Sequence, residues 1–449
     1  MIRRAKSAFS KAVAPAIYRA MGMDVFGFNA WLEETKHWTA EARQTWRLQR
    51  LNEIIRFCWE HVPFYRQYWS DHGLRPFDLK SFEELGAFPI MTKALLQSNP
   101  ETLRPDNLST IPHKNDATGG STGEPIRHRQ DLSTHSLRFA FLEHYGWGLA
   151  GYRYGDPWAI ISGGRLLPEM HKRWSRSRVR TMLNRALPLI GVHMDSDLAE
   201  RYHRLLLQHG TLYLHGYPSI LAEFARHLND KGLRIPDLKA VFTTAEMLLP
   251  QYRATIEKGL GVKVWDSYGC NDGGVLAWEC KLHEGQHYND LESILEVVEP
   301  GSDGVGRLLI TNLWNKSLPY VRYENGDLVS LAKDRCPCGE PFPMLASIQG
   351  RTAELLVFAN GRSITGPALT LVFRQMAIRG WQVVQTSPRD VEVRIRSERE
   401  LSEIDAQYIL KVFAEHAGSD VTVTIKRVDE LQKTKEGKLK PIWVDFAAS

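Results

Sequence analysis

The chain of 449 residues lacks most of the features that mark membrane, secreted or fibrous proteins. No run approaches the roughly 20 apolar residues that a membrane-spanning helix requires, so no transmembrane segment is expected. Cysteine is scarce: five residues, a small and odd number, exclude a disulfide scaffold and agree with a reducing compartment. The N-terminal stretch "MIRRAKSAFSKAVAPAIYRAMGM" is basic and weakly amphipathic, but it lacks the roughly 7–15-residue apolar core of a secretory signal, which gives a cytoplasmic expectation. A solvated first helix and a peripheral membrane contact through Arg3, Arg4, Lys6, Lys11 and Arg19 are both open readings there. An excess of one charge is lacking too. The 57 basic and 52 acidic residues leave a net charge of +5, too mild and too dispersed to indicate a nucleic-acid partner. What is there is a globular composition, 43% hydrophobic and 24% charged, with length for one large core and a smaller domain.

The densest local signal is "NDATGGSTGEPIRHRQD", which holds three glycines, two threonines and a serine between residues 118 and 123. Glycine at this density marks a tight turn or a close approach of backbone to ligand, and successive N–H groups can cradle a polyphosphate. Two familiar phosphate loops are excluded. Glu124 and Pro125 follow Gly123 where a Walker loop needs Lys and Ser or Thr, and the spacing of a dinucleotide fingerprint is missing. Because "PIRHRQD" reads as extended and the next helix takes its N-cap from among Asp131, Ser133 and Thr134, the loop is expected to join strands rather than open a helix.

From residue 211 the pattern is regular: strand "TLYLHG", helix "PSILAEFARHLNDKG", strand "LKAVFTT", helix "LPQYRATIEKGLG", strand "VKVWDS". Such alternation predicts parallel β-α-β units, with ligands beyond the strand ends at His215 to Tyr217, Thr244 to Glu246 and Ser267 to Asp272. "SILEVVE" and "RLLITNL", joined by "PGSDGVG", predict a small antiparallel β subdomain. From "ELLVF" onward the order is β-α-β-β-α-β, closing with "VTVTIKRV". The expectation is an α/β fold: a large N-terminal core domain, residues 1–349, with mostly parallel β-α-β sheets and a small β subdomain, and a small mobile C-terminal α+β domain, residues 350–449.

"ATGGSTGEP" resembles the phosphate-binding loop of the adenylate-forming enzymes, the acyl-CoA synthetase superfamily, and most closely its phenylacetate-CoA ligase branch. Further segments follow in that family's order: "TTAEMLLP", "DSYGCNDGG", "PYVRYENGDL", "GRTAELLVFANGR" and "KTKEGKLKPI", with "FPIMTKALLQ" resembling the segment that precedes the loop. The resemblance implies that Thr118, Gly119, Gly120, Ser121, Thr122 and Gly123 wrap the β- and γ-phosphates of ATP. Tyr268, with Gly269 beside it, would stack on adenine, and Ala245 and Glu246 would supply a neighbouring edge. Asp272 stands where the family has Glu, and Asn271 where it has Thr; a carboxylate there would hold Mg²⁺ against the triphosphate. Asp327 would accept the ribose hydroxyls and Arg351 would bind ribose or phosphate at the hinge, near the departures Ala353 and Glu354. Lys438, directly after Gly437, would reach the acid carboxylate and the α-phosphate. Tyr217 in "LHGYPS" would wall the acid pocket. Each has a plainer reading: a core tyrosine at 268, turns at "CNDGG" and "ENGD", and a solvated charge run at "KTKEGKLK".

Cys280, Cys336 and Cys338 with either His283 or His287 offer the Cys₃His set of a structural zinc site, the plainer reading being unpaired buried thiols. No partner is evident for Cys58 or Cys270. The function these signals imply is ATP- and Mg²⁺-dependent activation of a small carboxylic acid, aromatic acids included, with Lys438 and Asp272 as the catalytic pair and coenzyme A or an amine as acceptor. An inactive homologue serving as a binding module and a zinc-containing nucleic-acid binder are the alternatives from other classes.

Overall fold

The computed structural model describes residues 2–75, 78–117, 127–162, 176–191, 194–270, 272–351, 356–360, 362–364, 369, 372–373, 376–434 and 439–446. The glycine-rich loop from Thr118 to Gly123, Asn271, Ala353, Glu354, Gly437 and Lys438 lie outside these. The strands, in chain order, are β1 (His113–Ala117), β2 (Arg127–Asp131), β3 (Trp158–Ser162), β4 (Ala186–Ile190), β5 (Tyr213–Gly216), β6 (Ala240–Thr244), β7 (Val264–Cys270), β8 (Val275–Glu279), β9 (Gln286–Tyr288), β10 (Ser293–Val298), β11 (Gly306–Asn312), β12 (Tyr323–Leu331), β13 (Met344–Arg351), β14 (Leu356–Val357), β15 (Ser363–Ile364), β16 (Gly380–Ser387), β17 (Asp390–Arg396), β18 (Thr422–Arg427) and β19 (Ile442–Val444). The chain forms two compact units, one of Met1–Asp156, Met182–Asn184 and Ser267–Ile348, the other of Pro157–Thr181, Arg185–Asp266 and Gln349–Ser449. Among the described residues no helix is long and apolar enough to cross a membrane.

In the first unit the strands run in the order β10-β11-β12-β13-β9-β8-β7, with the residues of β7 from Ser267 onward and those of β13 up to Ile348 belonging here. The predicted β10–β11 hairpin forms, Ser293 opposite Asn312 and Val298 opposite Arg307, and Gly304 at φ 76° supplies its turn. Helices Ala40–His61 and Pro63–Asp71 bury Leu51, Ile55 and Trp69 against Ile294, Tyr320 and Tyr323. β1 and β2 pair antiparallel, so the chain on either side of the glycine-rich loop is extended as expected. Asp131 then caps helix Leu132–Phe141, accepting the Thr134 N–H at 2.7 Å. The first helix, Ile2–Ala20, is not solvated all round: Tyr18 is buried and donates to Asn184 Oδ1 at 2.7 Å.

In the second unit β6, β5, β3 and β4 form a parallel array, the β-α-β pattern read from the sequence. Helices Pro218–Asp230 and Pro250–Leu260 each start with proline at the first turn, where its missing N–H costs nothing. They meet at Gly259, where a Cβ would stand 2.3 Å from the Ala225 carbonyl oxygen. The C-terminal strands depart from expectation. β14 does not enter the main C-terminal sheet; it turns straight back to pair with β15, while the four-stranded order β18-β17-β16-β19 takes in a strand the sequence reading missed. The "IWV" run of β19 is three residues long, too short for a periodic signal, and its parallel pairing with β16 is set by tertiary contact. One apolar core runs from Ala159 through Phe224 and Ile256 to Trp381, Phe413 and Ile442.

Gly259→Ala is expected to destabilise the protein by about 2 kcal/mol or more through that backbone clash. Gly86→Ala, whose Cβ would meet nothing within 4 Å, should stay within about 0.5 kcal/mol of wild type. Thermal unfolding of the two variants beside wild type checks this.

Candidate functional site

Strand β7 continues through Cys270, so Tyr268 lies inside the strand rather than beyond its end as the sequence suggests. Cys270 pairs with Val275 at the start of β8, and Asp272, Gly273 and Gly274 form a turn directly before it. Gly273 and Gly274 there have φ of 99° and 84°. A Cβ on Gly274 would come within 2.2 Å of Asn312 Nδ2, so conformation and space both call for glycine. The turn reading of "CNDGG" therefore holds at Asp272–Gly274, and Asp272 stands in that turn.

Along β12 the side chains of Tyr323, Asn325 and Asp327 fall on one face by strand alternation, and all three are buried. The Tyr323 hydroxyl donates to Asp272 Oδ2 at 3.2 Å, and the Cys270 thiol lies 3.4 Å from Oδ1 of the same carboxylate. Asn325 Nδ2 donates to Asp327 Oδ2 at 2.6 Å and to the Tyr268 hydroxyl at 3.0 Å, while Tyr268 donates to Asp327. Asn325 also lies 3.4 Å from the Cys270 sulfur, which joins the two carboxylates into one network. Burial, and then the Asp327 charge, push the Tyr268 phenol well above its ordinary range, so it stays a donor. Mg²⁺ takes one or two carboxylates and completes its shell with phosphate and water oxygens. Asp272, buried beside neutral donors, fits that requirement.

Behind this turn stands Glu292, fully buried, with Arg138 Nε 3.3 Å from its Oε1. Burial pushes its carboxyl up to about 7, although Arg138 holds it below what burial alone would give.

In the second unit, Ala245 follows β6 with φ 68°, an uncommon conformation for a residue with a side chain. The next residue, Glu246, accepts from the Ser219 N–H at 3.1 Å, at the start of helix Pro218–Asp230, and from the Leu439 N–H at 2.6 Å. Burial raises its pKa and these two bonds oppose the rise. Tyr217, expected at the acid pocket, has its ring buried in this unit's core. Gly269 is exposed, and a Cβ there would meet nothing within 4 Å. Arg351 ends β13, its side chain outside the described residues.

The cysteines converge. The ligating atoms of Cys280, His287, Cys336 and Cys338 lie within 4.8 Å of one another. His287 Nδ1 donates to the Phe342 carbonyl at 2.8 Å, which turns Nε2 toward Cys338 Sγ at 3.2 Å. Backbone N–H groups of Leu282 and Glu340 reach the Cys280 and Cys338 sulfurs at 3.3 and 3.4 Å. His283 instead faces Glu279 at 3.3 Å, so of the two histidines His287 completes the set. Cys58 is buried in the helical core, whereas Cys270, for which the sequence suggested no partner, sits in the Asp272–Asn325 network.

Comparison with known proteins matches residues 356–445 to the family described as the CapK C-terminal domain. The chain is 26% identical over 333 residues to a phenylacetate-coenzyme A ligase of Thermus thermophilus, covering 69% of this chain and 70% of that one. It is 24% identical over 422 residues to a phenylacetate-coenzyme A ligase of Pseudomonas putida, covering 90% and 86%. A solved 2-hydroxyisobutyryl-CoA ligase, in the postadenylation state with R3-HIB-AMP, superposes with a TM-score of 0.69 at 20% identity over 91% of this chain and 90% of that one. The fold is that of the adenylate-forming ligases. Both of these curated relatives are phenylacetate-CoA ligases, the branch that the sequence motifs resemble.

Within this ligase fold, sequence reasoning named Tyr268, Asp272 and Asp327 but missed Tyr323, Asn325 and Cys270, which tie them together. Period-two alternation through "YENGD" could have found the first two. Nothing local marks Arg138 or Glu292.

With a folded-state pKa of about 7, Glu292 keeps a proton that the unfolded chain has already released, so the stability this proton confers is lost as pH rises from about 4.5 through 7. Glu292→Gln removes that dependence. Its stability relative to wild type should therefore be roughly 2–3 kcal/mol more favourable at pH 8 than at pH 5, as read by urea unfolding at both pH values.

Proposed function

We propose that this chain is an ATP-dependent, AMP-forming acid–thiol ligase, which activates a small carboxylic acid, aromatic acids included, and passes the acyl group to coenzyme A. The observation that carries the reading is the hydrogen-bonded cluster Tyr268–Asn325–Asp327 joined to Asp272, built from the two segments that resemble the family's nucleotide site. The names of the relatives and the acyl-AMP complex of the structural neighbour support it.

In the first half-reaction a carboxylate oxygen attacks the α-phosphorus in line, and the bond to the leaving pyrophosphate breaks. That step demands positioning and charge neutralisation and needs no covalent nucleophile on the protein. Tyr268 would stack on adenine, flanked by Gly269, Ala245 and Glu246. Asp327 would accept the ribose hydroxyls, bonds to a charged acceptor of roughly 1.5–3 kcal/mol each. Asp272 would hold Mg²⁺, which when bound neutralises charge on the triphosphate. Thr118 to Gly123 would bind the β- and γ-phosphates, Lys438 the acid carboxylate and α-phosphate, and Arg351 ribose or phosphate. Tyr217 would back the acid pocket. Residues 350–449 would act as a mobile lid on the core of residues 1–349, turning near Arg351 before the acyl group moves from AMP to the thiol. Use of ATP and coenzyme A, together with the scarce free thiols, favours the cytoplasm.

Pyrophosphate release with ATP, Mg²⁺ and a panel of acids should rise when coenzyme A is added; release indifferent to coenzyme A would point to an amine acceptor, and silence across the panel to an inactive homologue. Asp327→Ala should lower kcat/KM for ATP by about 10²-fold or more. Lys438→Ala should suppress adenylation far more than transfer from a preformed adenylate, and equal losses in both steps would remove Lys438 from this role.

Cys280, His287, Cys336 and Cys338 would hold one structural zinc, the closed Cys₃His set. Burial pushes the Cys280 thiol up to about 12, so a bound cation is what would hold it as thiolate at neutral pH. Elemental analysis of the purified protein is expected to find one zinc per chain. Cys338→Ser should lose the zinc and lower Tm by about 5 °C or more; full stability without metal would argue for free thiols.

A further inference from the structure

The turn that presents Asp272 is braced from behind. Arg138, on helix Leu132–Phe141, is 9% exposed. Its Nη2 donates to the Val275 carbonyl at 2.9 Å and reaches the Cys270 carbonyl at 3.4 Å, the two residues that pair across the mouth of the hairpin. Its Nε faces Glu292 Oε1 at 3.3 Å. That same carboxylate oxygen lies 3.3 Å from where a Cβ on Gly274 would stand, so Glu292 packs against the turn itself. One guanidinium thus reaches the carbonyls on both sides of the turn and forms an ion pair with a carboxylate that lies against it. A rigid fork of donors can do this, whereas the single ammonium of lysine cannot reach all three acceptors in one position.

We infer that Arg138, oriented by Glu292, is a positioning residue that sets the Asp272–Gly274 turn and with it the direction of the Asp272 carboxylate. The consequence for Mg²⁺ and the triphosphate rests on the ligase reading above, while the bracing of the turn does not. A pair that only stabilised the fold would act on all parts of the first unit alike; a positioning pair acts on this turn.

The test is Arg138→Lys, read in two ways. Cys270 is 5% exposed and its sulfur lies against Asp272, so loosening the turn uncovers a thiol. Site-resolved alkylation by iodoacetamide, followed by mass spectrometry, should label Cys270 about 10-fold faster than in wild type. Cys58, buried in the helical core, should be labelled at the wild-type rate. In the activity assay the half-saturating Mg²⁺ concentration for pyrophosphate release should rise several-fold while KM for the acid stays put. Unchanged labelling of Cys270 in the folded variant overturns the inference. Faster labelling with an unchanged Mg²⁺ requirement overturns its link to Asp272. If the wild-type protein releases no pyrophosphate with any acid, the ligase reading fails, and the labelling comparison still decides the bracing role. Should Arg138→Lys fail to fold, Glu292→Gln keeps the shape, removes the carboxyl group that faces Arg138, and is read by the same two measurements.

Discussion

Buried carboxylates set the terms for the first unit. Asp272, Glu292 and Asp327 are each at most 6% exposed, and an ionised carboxylate taken from water without donors costs several kcal/mol. The partners come from elsewhere in the sequence: Tyr323 donates to Asp272, Tyr268 and Asn325 donate to Asp327, and Arg138 faces Glu292 as an ion pair at 3.3 Å. The register of β12 therefore matters more than any single bond. A slip of one residue would turn Tyr323, Asn325 and Asp327 to the opposite face and strand all their partners at once.

The same logic links the turn to the cysteine cluster. β8 is five residues long, with the Asp272 turn at its beginning and Cys280 immediately after its end. Such a strand spans about 17 Å. Arg138 ties down one end through the carbonyls of Cys270 and Val275, and the Cys₃His set gathers the other. In the proposed ligase an element held at both ends would suit Asp272, since a carboxylate that must meet a cation and a phosphate tolerates little misplacement.

The second unit uses a buried carboxylate differently. Glu246 bonds the first turn of one helix and the backbone at Leu439, and Arg396 meets Glu223 at 2.9 Å nearby. These contacts and a shared apolar core hold the C-terminal strands to the β-α-β segment within that unit. The sheet order there could not be read from the chain, because β14 and β19 are two and three residues long. Runs that short carry no periodicity, and which of them joins the sheet is decided by what packs beside it.

Local chemistry was legible in the sequence wherever it depends on neighbours in the chain: the β-α-β alternation, the β10–β11 hairpin, an N-cap among Asp131, Ser133 and Thr134, the turn at the two glycines after Asp272, and the residue types of the Cys₃His cluster. These follow from steric limits and hydrogen bonding over a few residues. The choice of His287 over His283, the insertion of Cys270 between two carboxylates, and the meeting of Arg138 with Glu292 and with the carbonyls of Cys270 and Val275 were decided only by tertiary structure. Their members lie far apart in sequence or differ only in the direction a side chain faces. What brings them together is the need of buried charge for a partner, wherever the fold supplies one.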